Sequence, residues 1–211
     1  MPQRISSTML RAPGRRGLLL LLTLALLAMG LGVGSFSLAQ ASPCTNVLTN
    51  GGFESDAGWT LETQGNYSLL SDYLAHSGLR AAYLAGTDNA VDSVSTTLAL
   101  PAGDQNISLH FWWQIFTEET GGGYDGLTVQ VLDSAGNPLK MLFSVGDLNA
   151  VDTWQQASLD LSEFAGQTIQ LKFQGQSDSS LTSDFFVDDV EVTACDMSQL
   201  TNRIFLPFTS R

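Results

Sequence analysis

The chain has 211 residues, with 9 Lys and Arg against 21 Asp and Glu, two His and two Cys. An apolar fraction of 44% and a charged fraction of 14% exclude a disordered chain and leave room for one good core. Arg4, Arg11, Arg15 and Arg16 precede residue 41 and no acid does; the acidic remainder excludes nucleic acid, whose phosphates need clustered Lys and Arg, and argues against anionic membrane surfaces.

Residues 1–17 are basic and end in Arg15-Arg16-Gly17, and Leu18 to Leu27 is nearly unbroken Leu with Ala and Thr. A glycine-rich stretch then leads to Ser37-Leu38-Ala39-Gln40-Ala41. A positive start, a short apolar run and an A-x-A site predict a secretory signal peptide over residues 1–41, cleaved after Ala41. Leu18–Leu38 is long enough to span a bilayer as a retained anchor, but Gly30, Gly32 and Gly34 interrupt its second half. No membrane span is expected after cleavage. The mature chain is expected to be secreted or held at the cell surface. Pro43, just before Cys44, rules out a lipoprotein site.

In an oxidising space two Cys usually pair, so a Cys44–Cys195 disulfide is expected to clip the first segment to the last strand. Closing so long a loop removes about 5 kcal/mol of unfolded-chain entropy at most. Nothing basic flanks either Cys to activate a thiolate.

Residues 42–196 read as one domain and 197–211 as a tail. After residue 41 there is no sustained 3.6-residue apolar period. Short alternating runs predict strands over Leu79–Ala85, Val91–Leu100, Ile107–Phe116, Leu127–Leu132, Leu139–Val145, Trp154–Leu161, Thr168–Gln174 and Phe185–Val192. Ser134–Pro138 reads as a hairpin turn, Ser162–Gly166 as a single helical turn ending on Gly, and Thr117–Tyr124 as a mobile loop. Regularly spaced strands of this kind predict an all-β fold, a two-sheet antiparallel β-sandwich of jelly-roll type. Side chains alternate faces along a strand. Ile107, Leu109, Phe111, Trp113 and Ile115 are therefore expected inside, and His110, Trp112, Gln114 and Phe116 outside. Leu127, Val129, Val131, Ile169, Leu171 and Phe173 go in; Gln130, Gln170 and Gln174 go out.

Three stretches carry a resemblance: Asn50-Gly51-Gly52-Phe53-Glu54 followed by Trp59; His76-Ser77-Gly78-Leu79-Arg80-Ala81-Ala82-Tyr83-Leu84; and Phe185-Phe186-Val187-Asp188-Asp189-Val190-Glu191-Val192. They resemble the galactose-binding-like jelly rolls of bacterial carbohydrate-binding modules. Tyr124–Val129 and the stretch from Trp154 to Phe173 are similar to MAM-type domains, including those appended to secreted bacterial metallopeptidases. The resemblance spans roughly residues 46–193. It implies a free-standing, non-catalytic binding or adhesion module, with a polysaccharide or glycan, or a cell-surface protein, as partner.

Asp188 shares its strand parity with Phe186, Val190 and Val192, so it is expected on the core face, where an ionised carboxylate needs a partner or a metal. In the resembled families a structural calcium ion lies between the first and last strands. Carried over, that implies Ca2+ held by Glu54, Asp188 and main-chain oxygens around Gly52 and Ser77, since calcium takes 6–8 oxygen ligands. The other reading is that Asp188 accepts backbone hydrogen bonds at a strand start. No enzyme is expected: there is no G-x-S-x-G, no phosphate loop and no Cys/His metal motif, and with 21 acids a close carboxylate pair carries no signal.

Sugars are held by aromatic faces with amides and carboxylates around them. His110, Trp112, Gln114 and Phe116 on one strand face, with Tyr124 nearby, are the candidate ligand-binding residues; Trp59 and Tyr67 could complete the rim. Alternatively Trp112 and Phe116 are covered by a loop of the same chain, such as Thr117–Tyr124. Trp113 and Trp154 are expected in packing. The apolar clump Arg203–Phe208 in the tail is either an extra edge strand or a docking segment.

Overall fold

The computed structural model describes residues 44–103 and 105–198. The expected signal peptide and most of the expected tail lie outside the described residues.

Eleven strands are described: β1 (Cys44–Asn46), β2 (Thr60–Glu62), β3 (Leu70–Ser71), β4 (Ala81–Leu84), β5 (Val91–Ala99), β6 (Gln105–Thr117), β7 (Gly126–Leu132), β8 (Pro138–Gly146), β9 (Val151–Asp160), β10 (Thr168–Gln176) and β11 (Ser183–Asp196). They form two antiparallel sheets. One has the order β3-β4-β11-β6-β9, with β1 also paired to β11; the other has the order β2-β5-β10-β7-β8. The architecture is the expected two-sheet jelly-roll sandwich, and each of the eight expected strands is present.

The core lies between the sheets. Ile107, Leu109, Phe111 and Ile115 of β6 point into it, as do Leu127, Val129 and Val131 of β7 and Ile169, Leu171 and Phe173 of β10. Phe111 bridges the layers by meeting Phe173 edge-on, with ring centroids 5.2 Å apart at 83°, a favoured geometry for aromatic quadrupoles. Trp113 packs partly buried against Phe143, as expected of a packing residue.

The turns follow the residues that specify them. In the β7–β8 hairpin, Asp133 Oδ1 accepts the N–H groups of Ala135 and Asn137, both at 2.8 Å, and Gly136 supplies the positive φ of 87°. The expected helical turn is a single 3-10 turn over Ser162–Phe164, and Gly166 just beyond it has φ 77°.

The disulfide forms as expected: Cys44 and Cys195 face each other in the β1–β11 register and are bonded. The parity assigned to Asp188 is corrected. The register of β11 against β6 slips between Asp188 and Glu191, a β-bulge, and Asp189 takes a positive φ of 47°. An extra residue reverses the alternation beyond it. Phe185 and Val187 therefore join the core with Val190, Val192 and Ala194, while Phe186 and Asp188 lie on the opposite face. They are buried there nonetheless, under chain from elsewhere in the sequence.

Candidate functional site

The cover over Asp188 is the segment before β4. His76 N–H and Ser77 N–H donate to Asp188 Oδ2 at 2.8 and 3.1 Å, and Asp189 N–H donates to Oδ1 at 2.7 Å. His76 Nδ1 pairs with Asp189 Oδ2 at 2.6 Å, and the Ser77 hydroxyl donates to Asp189 Oδ1 at 2.7 Å. The first segment closes the seam from the other side. Val190 N–H donates to Gly51 O at 2.9 Å, and Gly51 passes so close to the bulge that a Cβ there would lie 1.7 Å from Val190 O. Gly52 sits against Asp189 and Asp188. Glu54 Oε1 accepts the N–H groups of Leu79 and Arg80 at 2.7 and 3.1 Å, which hold its pKa below the ordinary value.

Glu54, Gly52, Ser77 and Asp188 therefore meet along one seam. Burial pushes the Asp188 carboxyl up to about 6, despite three backbone donors and with the Asp189 charge adding to the rise.

The outward strip of β6 is mostly covered. His76 stacks on Trp112, with centroids 4.1 Å apart and planes 14° from parallel, and meets Trp154 edge-on. Phe186 packs with Tyr73 and Tyr83 and against the edge of Phe116. Gln114 is buried, not solvated as its parity implied, because Phe186 of β11 is its register partner beneath this second aromatic layer. His110 remains half-exposed. The cover is thus the segment before β4, not the Thr117–Tyr124 loop.

The expected rim also separates. Trp59 is buried on Phe53 and Phe173, and its Nε1–H donates to Asn50 O at 2.9 Å. Tyr67 packs on Tyr83 and donates its hydroxyl to the buried Asp92; burial first, then that carboxylate, push the phenol up to about 12. Tyr124 alone of these stands out, 61% exposed. It rises not beside Trp112 but over the outer face of the five-stranded sheet.

There it borders a groove of about 390 Å³ lined by Thr128, Gln130, Gln174, Gln176, Met141 and Asp125, among others. Gln130 and Gln174 are two of the amides expected to face outward. They bring donors and acceptors to a polar floor, with a tyrosine face at the rim and a thioether at the side.

At the same rim lies a carboxylate cluster with no sequence signature. One oxygen each of Glu119, Asp125 and Asp178 lies within 4.8 Å of the others, the one such group of three among the described residues. Desolvation, then the charges of Asp178, Asp125 and Asp147, hold the Glu119 carboxyl above its ordinary value. These acids come from two connections far apart in sequence, so no local spacing marks them; the only hint is Asp125 lodged between Tyr124 and the start of an apolar strand.

The family model for the MAM domain (meprin/A5/mu) matches residues 50–196. The chain belongs to the MAM domain family. Among curated proteins, the pre-pro-metalloprotease PrtV of Vibrio cholerae is 32% identical over 113 residues, a match covering 50% of this chain and 12% of that protein. This MAM chain therefore corresponds to a small part of that relative's length. Among solved structures, the module TmCBM61 in complex with β-1,4-galactotriose is similar with a TM-score of 0.51 and 19% identity, over 70% of this chain and 97% of the other. A cleaved adhesin domain of Lys-gingipain from Porphyromonas gingivalis is similar with a TM-score of 0.50 and 18% identity, over 72% and 99%. The MAM domain described here is a two-sheet β-sandwich that resembles these carbohydrate-binding and adhesion modules in fold.

Proposed function

We propose that the chain is an exported binding module that grips a polysaccharide in the groove on the outer face of the five-stranded sheet. The observation that carries this reading is the groove itself: Gln130, Gln174 and Gln176 on its floor, Asp125 at its edge and the exposed Tyr124 ring at its rim. Amides bond hydroxyls in several directions, and an aromatic face covers the C–H surface of a sugar ring. The likeness in fold to a galactotriose-bound module agrees with it. Export is supported by the basic start, leucine run and Ser37–Ala41 site, and by the disulfide, which persists in oxidising compartments.

A structural Ca2+ at the seam belongs to the same reading. What supports it is the full burial of Asp188, which raises its carboxyl pKa to about 6 despite three N–H donors, together with the hard oxygen donors of Glu54 and nearby main-chain carbonyls. The ion would supply the missing positive charge and tie the first segment to β11.

The test is retention of purified protein on a panel of insoluble polysaccharides, with Tyr124→Ala and Trp112→Ala beside the native chain. Retention is expected to fall about tenfold in Tyr124→Ala, equivalent to about 1.4 kcal/mol, and to stay unchanged in Trp112→Ala. Loss in Trp112→Ala alone would move the site to the strip of His110, Trp112, Gln114 and Phe116. Retention on no polysaccharide would leave the domain as a protein-binding adhesion module.

A further inference from the structure

The end of the sandwich that carries the β6–β7 connection (residues 118–125) and the β10–β11 connection (residues 177–182) gathers negative charge without a counter-ion among the described residues. Asp125 is only 4% exposed. Its Oδ1 accepts the N–H of Asp178 at 2.8 Å, which ties the two connections together, but its Oδ2 is buried with no hydrogen-bond partner. Glu119 Oε1 is likewise buried and without a partner. Both residues belong to the cluster with Asp178, whose carboxylate oxygens approach within 4.8 Å. Asp147 lies beside them but is already satisfied, accepting the N–H groups of Gly123, Tyr124, Asp125 and Leu148.

No Lys or Arg among the described residues pairs with these acids. Among the described residues, Arg80, Lys140 and Lys172 are paired elsewhere, with Asp56, Glu163 and Glu62 respectively. Buried anionic oxygens that face one another without a donor are costly unless a metal or a proton sits between them.

The geometry points to a divalent-cation site, separate from the seam, in which Glu119, Asp125 and Asp178 hold Ca2+. Separations of up to 4.8 Å are what oxygens on different sides of an ion with bonds of about 2.3–2.6 Å display. An all-oxygen set on two loops suits calcium, whose coordination is adaptable, over magnesium, which demands a regular octahedron. Water can fill the remaining positions. The site lies where Thr117 pairs with Ser183, whereas the disulfide lies at the other end of β6 and β11 and the Asp188 seam between the two. The ion fixes residues 118–125 to residues 177–182 and so sets the position of Tyr124. This does not depend on what the groove binds.

Purified protein stripped with chelator is titrated with CaCl2 and followed by hydrogen-exchange mass spectrometry of residues 118–125 and 177–182. Calcium is expected to slow exchange several-fold in both segments of the native chain. Glu119→Gln and Asp125→Asn are expected to abolish that protection, and Glu54→Gln, which alters the seam, to keep it. Glu119→Gln is also expected to melt no lower than the native chain without calcium, because it removes like-charge repulsion; this separates loss of an ion from misfolding, and it decides the matter should Asp125→Asn not fold. Absence of calcium-dependent protection in the native chain overturns the proposal. So does protection that survives Glu119→Gln, or that is lost in Glu54→Gln while Glu119→Gln keeps it.

Discussion

His76 lies flat on Trp112 while its Nδ1 holds Asp189, so one residue both covers the largest outward aromatic of β6 and pins the bulge of β11. A large ring at an outward strand position is thereby accounted for within the chain. Removing the imidazole should cost about 1 kcal/mol of stacking beyond the area it buries. His76→Ala is expected to lower Tm and to raise acrylamide quenching of tryptophan fluorescence. The extra quenching should vanish in a His76→Ala, Trp112→Phe double variant; if it persists, another tryptophan is the one uncovered.

The Asp188 carboxyl gives a pH signature with a definite sign. Its folded-state pKa of about 6 lies above the ordinary 3.8, so between these values the folded chain binds the proton more tightly than the unfolded chain does. Its stabilising contribution is full below about pH 4 and is lost as pH rises through 6. In chelator, the difference in Tm between Asp188→Asn and the native chain is expected to shift in the variant's favour from pH 4 to pH 6 and to level off beyond. A difference flat across that window contradicts the assignment.

Two glycine substitutions should part widely. A Cβ on Gly51 would meet Val190 O at 1.7 Å, a backbone atom that cannot swing aside, whereas a Cβ on Gly121 meets nothing within 4 Å. Gly51→Ala is expected to destabilise by about 1–3 kcal/mol or more as the first segment is pushed from β11. Gly121→Ala should be neutral or slightly stabilising through the unfolded chain. Urea midpoints of the two variants measure both.

The Cys44–Cys195 bond closes a loop across a sequence separation of 151 residues. Replacing both residues by Ser is expected to lower stability by as much as about 5 kcal/mol. Thermal melts of native protein with and without reductant provide an independent measure, and the reduced native chain should match the double variant.

How much of this could be read beforehand varied with the span over which a pattern repeats. Thr168–Gln176 is legible because Ile169, Leu171 and Phe173 alternate with Gln170, Lys172 and Gln174 through three full periods. β2 and β3 carry three and two residues, too few for any alternation. Asp188 is buried, but not for the reason its parity suggests: the bulge at Asp188–Glu191 breaks the alternation, and burial comes instead from His76 and Ser77, more than 100 residues away. Gln114 and Trp112 show the same limit, since what covers an outer face is a tertiary matter. The seam residues were recognisable because Gly51, Gly52 and the paired aspartates sit in compact motifs. Glu119, Asp125 and Asp178 were not, since only the return of β10 into β11 brings residue 178 beside residue 125.

The pairing of β1 with the far end of β11 leaves Cys44 and Cys195 with Cα atoms 4.0 Å apart. Whatever polypeptide precedes the one and follows the other departs from a single corner, so the module can hang from a longer chain like a bead on a loop. Tension applied through those two points would run across the sulfur–sulfur bond and bypass the hydrogen-bonded ladders, leaving the amide groove undistorted under load.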